Sequence, residues 1–207
     1  MLVRRLGELD VKPWKNGGGS TRDLAAAPPD STLADFDWRV SIAEVAVDGP
    51  FSAFPDIDRV IMLVDGAEMV LDVDGVTHRL KRFDTLAFAG EATVLGAVPS
   101  GPTRDLNLMT RRGSATGSMR AVDVADRHEV EVGPGEAVLL VALTDGLTMC
   151  DEALETSDAL EALEALEALD SVICETPGTV RISGTGTVTV IRISTLPKAP
   201  VSSHRRS

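Results

Sequence analysis

Apolar and polar side chains alternate with period two over most of this chain, in runs of four to nine residues closed by turn-forming pairs. Phe36, Trp38, Val40 and Ile42 alternate with Asp37, Arg39, Ser41 and Ala43, the pattern of a half-buried strand. Arg59 to Val64 closes on Asp65-Gly66, and Met69 to Val73 is followed by Asp74-Gly75 and then by Val76 to Leu80. Each Asp-Gly pair predicts a tight turn, because glycine adopts positive φ without a steric penalty. Thr85 to Phe88, Ala92 to Val98 and Arg104 to Arg111 complete the first half.

The last of these runs is the most informative. Its alternation puts Asp105, Asn107, Met109 and Arg111 on one face of a strand, and Leu106, Leu108 and Thr110 on the other. A carboxylate, an amide and a guanidinium in one row are costly to bury without partners. They are therefore either solvated or gathered around something polar.

Residues 112–118 read as a linker, after which the strand pattern restarts at Met119 to Val124 and His128 to Val132. Gly133-Pro134-Gly135 breaks it, Glu136 to Leu143 resumes it, and Val180 to Ser183 with Thr187 to Ser194 close it. The expectation is an all-β chain of antiparallel barrels used twice, residues 1–112 with an N-terminal arm and residues 113–207 with a disordered tail from Pro197. One segment departs from the pattern. Asp151 to Asp170 repeats Glu-Ala-Leu, and its composition predicts an acidic helix whose leucines drift around the axis.

Composition narrows the partners. The formal charge of −12 argues against sequence-independent binding to nucleic acid or anionic membranes. Eight of the acids lie in 151–170, so the rest of the chain carries only −4 and can still present a basic pocket. No apolar run approaches membrane-spanning length, and Met1-Leu2-Val3-Arg4-Arg5 has no secretory character, which predicts a cytoplasmic protein. Cys150 and Cys174 are isolated and have no metal-site spacing. The three histidines, at 78, 128 and 204, are isolated too, so no metal and no cofactor is expected.

Pro13-Trp14-Lys15-Asn16-Gly17-Gly18-Gly19 is a glycine turn whose lysine precedes the glycines, unlike a nucleotide phosphate loop. Together with Phe36-Asp37-Trp38-Arg39-Val40-Ser41-Ile42-Ala43, Asp48-Gly49-Pro50-Phe51-Ser52-Ala53-Phe54-Pro55, Asp58-Arg59, Asp105-Leu106-Asn107-Leu108-Met109 and Arg111-Arg112-Gly113, it resembles the HutD/Ves family. The blocks stand in family order over residues 11–113. The resemblance implies two cupin (double-stranded β-helix, jelly-roll) barrels in one chain. It further implies a link to bacterial histidine utilisation, with members acting as small-molecule-binding modulators; the ligand type is a carboxylate such as urocanate or N-formylglutamate. Ves-type members are linked instead to cold or stress response.

Residue chemistry suits an anionic ligand, since arginine pairs carboxylates bidentately and asparagine both donates and accepts. Arg39 and Arg59 are expected to hold the carboxylate, Asn107 and Ser41 to hydrogen-bond it, and Trp14 with Phe54 to close the apolar side. Asn16, Asp105 and Arg111 complete the expected site. Two other classes stay open: a cofactor-independent isomerase or lyase using Asp105 as base, and a stress-related interaction module acting through 151–170. Pairing of two copies through sheet edges is open as well.

Overall fold

The computed structural model describes residues 3–150 and 164–197. In chain order the strands are β1 (Val3–Arg4), β2 (Lys12–Pro13), β3 (Gly19–Ala27), β4 (Trp38–Val45), β5 (Gly49–Pro50), β6 (Ile57–Asp65), β7 (Met69–Val73), β8 (Val76–Leu80), β9 (Thr85–Ala89), β10 (Val94–Ala97) and β11 (Thr103–Arg111). The second half adds β12 (Ala115–Val124), β13 (Arg127–Val132), β14 (Glu136–Ala142), β15 (Leu147–Cys150), β16 (Glu164–Leu166), β17 (Ser171–Cys174), β18 (Gly178–Gly184) and β19 (Gly186–Thr195). A turn of 3-10 helix at Leu6–Glu8 is the only helix among the described residues.

These strands form two double-stranded β-helix barrels of the cupin type. The first joins a six-stranded sheet, ordered β2-β3-β4-β11-β6-β9, to a four-stranded sheet, β5-β10-β7-β8. The second joins β1-β17-β14-β19-β12 to β13-β18-β15-β16. Strand β1 therefore lies in the second barrel's sheet, where Val3 and Arg4 pair with Val172 and Ser171, although its sequence belongs with the first half. Arg5, just beyond, donates to Asp170 at 2.5 Å and to Glu164 at 2.9 Å, so opposite charges hold the crossing arm in place.

The two large sheets stack back to back. Leu106 and Leu108 of β11, with Val40 and Ile42 of β4, meet Leu139, Val141, Ile191 and Ile193 of the second barrel in one fully apolar cluster. The apolar face of β11 is thus the seam between barrels, and its polar face is turned into the first barrel. Inside the second barrel, Val138, Leu140, Met149, Ile182 and Val190 fill the space with aliphatic side chains. Inside the first, Ile61, Leu63, Met69, Leu71 and Leu80 form an aliphatic cluster, with Phe51 and Phe88 packed against it.

Two expectations are corrected. The segment read as a helix has no helix where it is described: Glu164–Leu166 is a strand paired with β15, a turn follows, Leu166 faces the second barrel's core, and Leu169 reaches the seam. Sheet pairing overrides helix propensity there, because a barrel edge needs a partner and a leucine for its interior. Residues 151–163 and the tail residues 198–207 lie outside the described residues. The linker read at 112–118 is also shorter than expected, since β12 already begins at Ala115. Its small residues answer to packing: a Cβ on Gly117 would sit 2.9 Å from the Leu108 side chain.

A buried polar cluster in the first barrel

Antiparallel register brings the polar residues together. Across the six-stranded sheet, Asp23 of β3 stands beside Ser41 of β4, Ser41 beside Asn107 of β11, and Asn107 beside Ile61 of β6. Two residues along, Arg39, Met109, Arg59 and Phe88 form the next row. On the other side of Asn107, Asp105 stands between Ala43 and Leu63. Two irregularities flank this patch. The bulge between Asp23 and Ala25 aims Asp23 inward while Leu24 and Ala25 both reach the seam, and a second shift falls between Arg104 and Asp105.

Arg59 is 5% exposed, and its guanidinium lies 5.0 Å from the ring centre of Phe88, 5.6 Å from Phe54 and 5.7 Å from Phe51. Aromatic faces favour a cation but leave its N–H groups largely free. Its one side-chain hydrogen bond is a long one, 3.4 Å from Nη1 to the Ser52 carbonyl, and its Nε has no partner. Burial pulls the Arg59 pKa down to about 10; Asp105 works against that and Arg39 with it. The side chain is still cationic at neutral pH.

Asp105 is 1% exposed, and neither carboxylate oxygen has a hydrogen-bond partner. Burial raises its pKa to about 7, with Arg59 pulling the other way. Asn107 Oδ1 and Ser41 Oγ are likewise buried and unpartnered, as is Oγ1 of Thr103. The barrel therefore encloses a cation caged by rings beside a wall of unanswered oxygen atoms. Such a cluster is costly in an empty protein and suited to a small polar guest.

The other expected site residues are placed differently. Arg39 shares the inner face but forms an ion pair with Asp23, and its Nη1 approaches Met109 Sδ at 3.9 Å, so its charge is already answered. Arg111 donates from Nε to the Phe36 carbonyl at 2.8 Å and from Nη2 to that of Ala34 at 3.0 Å, which pins the loop before β4. Asn16 is exposed and accepts from the Gly18 amide at 3.0 Å, closing the glycine turn. Trp14 donates its indole N–H to Thr21 Oγ1 at 2.7 Å and packs on the first barrel's core. Phe54 does border the cluster, through Arg59. Sequence reasoning missed Phe51, Phe88 and Asp23. Phe51 sits in the same block as Phe54, but Phe88 becomes a neighbour of Arg59 only through the β6–β9 pairing.

A groove of about 590 Å³ between the β8 and β9 edges, lined by Thr77, His78, Phe83 and Leu86 among others, contains none of the cluster residues. Among the described residues no group of three or more His, Cys, Asp or Glu side chains is arranged to hold a metal ion, and no helix is long and apolar enough to cross a membrane.

The HutD family model matches residues 7–191, which takes in both barrels. The chain belongs to the HutD family. Protein Ves of Citrobacter koseri is 39% identical to this HutD-family chain over 153 residues, covering 73% of this chain and 76% of the relative. Among solved structures, a conserved protein of unknown function from Pseudomonas aeruginosa superposes with a TM-score of 0.80 at 26% identity, over 95% of this chain and 99% of its own. HutD from Pseudomonas fluorescens superposes with a TM-score of 0.78 at 30% identity, with the same coverage. The family match thus reaches across both barrels rather than one of them.

Proposed function

We propose that the first barrel binds a small carboxylate, with Arg59 as its anchor, and that the protein modulates histidine utilisation by sensing or sequestering a degradation intermediate such as urocanate or N-formylglutamate. The observation that carries this reading is the Arg59 guanidinium, buried among Phe51, Phe54 and Phe88 with Nε unpartnered. A carboxylate on a buried arginine contributes on the order of 1.5–3 kcal/mol through charge-assisted hydrogen bonds. Arg39, committed to Asp23, tunes the field rather than holding the ligand. Ser41 and Asn107 offer further hydrogen bonds, and a cytoplasmic setting fits such a ligand.

The rival reading, a cofactor-independent isomerase or lyase, draws on the raised Asp105 carboxyl as an acid or base. One experiment separates the two. Thermal shift against urocanate, N-formylglutamate, histidine and glutamate identifies a binder, since ligand at 100 times Kd adds roughly 2.7 kcal/mol. Loss of urocanate absorbance over time identifies an enzyme. No shift with any of the four overturns the carboxylate reading.

A further inference from the structure

Arg59 accounts for an anion but leaves Asp105 unexplained. A buried carboxylate normally collects donors, and Asp105 has none on either oxygen. Its ladder neighbours cannot supply one: Ala43 stands opposite it on β4 and Leu63 on β6. Across the barrel, the four-stranded sheet contributes Met69, Leu71, Leu80 and Val94, all apolar. The charged groups on the same interior face are Arg59 on β6 and Arg39 on β4, the latter paired with Asp23 on β3. Along β11 and β4 the open atoms are Asp105 Oδ1 and Oδ2, Asn107 Oδ1, Thr103 Oγ1 and Ser41 Oγ, set against the Arg59 guanidinium, whose Nε is open as well. The Asn107 oxygen can only accept, the ionised Asp105 carboxylate accepts at both oxygens, and the hydroxyls can accept as well. The wall beyond Arg59 is built to receive donors.

Spacing gives the shape of the guest. Asp105, Asn107 and the Met109–Arg59 pair follow one another along β11 at roughly 7 Å per two residues. An elongated molecule with its anion at Arg59 reaches past Asn107 toward Asp105.

Building on the carboxylate reading above, we propose that Asp105 is the specificity-determining residue of this site: it accepts a hydrogen bond from an N–H group at the far end of the same molecule whose carboxylate Arg59 holds. The ligand class is a short carboxylate carrying an imidazole, amide or ammonium N–H at its opposite end. A carboxylate that meets only acceptors or apolar surface at that end leaves Asp105 unanswered, and the site rejects it.

The test uses two probes of nearly equal shape. Urocanate places an imidazole N–H at the end remote from its carboxylate; furylacrylate replaces that ring with a furan, which has no N–H. Calorimetric titration of the full chain is expected to show urocanate binding at least roughly tenfold more tightly than furylacrylate. In Asp105→Asn the preference is expected to fall to within about threefold, with furylacrylate affinity kept or improved. In Arg59→Met both probes are expected to lose binding. Equal binding of the two probes by the native protein overturns the proposal, with no variant needed, as does a preference that survives in Asp105→Asn. If those results come with loss of both probes in Arg59→Met, the carboxylate reading still stands. Binding of neither probe by the native protein overturns both.

Discussion

Asn107 lies directly opposite Ser41 across the β4–β11 ladder, and Oδ1 of the one and Oγ of the other are both buried without a hydrogen-bond partner. Neighbouring polar side chains on adjacent strands ordinarily satisfy each other when nothing else does. They do not here, and Asp105 beside them is in the same state, so the row holds several buried acceptors without donors. The following predictions test the energetics of that arrangement and of the frame that holds it.

Asp105→Asn is expected to stabilise the ligand-free protein, because it removes a buried carboxyl group while keeping its volume. The gain depends on pH, and its sign follows from the raised pKa. Between the ordinary carboxylate value of 3.8 and about 7, the folded protein holds a proton on Asp105 that the unfolded chain gives up. The stabilising contribution of that proton is fully present below 3.8 and is lost as pH climbs through 7. The Asn variant's advantage in unfolding free energy, read by denaturant titration, is therefore expected to grow from pH 5 to pH 8, reaching about 2–4 kcal/mol. A difference that stays flat across this range contradicts the burial of a titrating group.

Arg59→Met is expected to abolish carboxylate binding, as read by thermal shift or calorimetry, while Arg59→Lys weakens it tenfold or more. Lysine keeps the charge but loses the planar fork that stacks on three rings and meets a carboxylate with two parallel N–H groups. The Met variant also strands Asp105 without its cation, so its carboxyl is expected to titrate higher still. The pH dependence of the variant's stability checks that shift.

Leu108→Ala removes a side chain from the seam rather than from either barrel interior. The expected cost is about 2–5 kcal/mol, the range for opening a cavity at a fully buried leucine. Because Leu139, Val141 and Ile193 of the second barrel share that cluster, both barrels are expected to melt in one transition before and after the change. Calorimetry that resolves two separate unfolding events contradicts a shared core.

Gly19→Ala drives a Cβ into the Glu44 carbonyl oxygen and to 3.1 Å from the Trp14 ring. Both neighbours are held, the carbonyl by the β-ladder and the indole by its bond to Thr21, so neither yields cheaply. A loss of more than about 2 kcal/mol by denaturant titration is expected. Gly7→Ala, where the new Cβ meets nothing within 4 Å, serves as the matched control.

The strand content and the inner face of β11 were legible in the sequence, because period-two alternation survives wherever a sheet has one polar face. Asp105, Asn107 and Ser41 follow from that alternation alone, and Arg59 from the family blocks. Reading the direction of the faces was harder. Leu106 and Leu108 look like an ordinary core face, yet the core they enter belongs to two barrels at once. Arg39 and Arg111 illustrate a different limit. Alternation places a side chain on a face, but its charge partner comes from a neighbouring strand or loop: Asp23 for Arg39, the Phe36 and Ala34 carbonyls for Arg111. The acidic repeat misled because composition records local preference, whereas Leu166 is held by barrel pairing that only the assembled sheet supplies.

The crossing of β1 from one barrel to the other has a practical consequence. Cutting the chain at its midpoint does not yield two modules, because the piece that starts near Ser114 lacks the pair Val3–Arg4 and leaves the edge of β17 bare. It also exposes the leucine and isoleucine row that the seam conceals. Such a fragment is a template for edge-to-edge aggregation, so any work that isolates one half has to carry the other half with it.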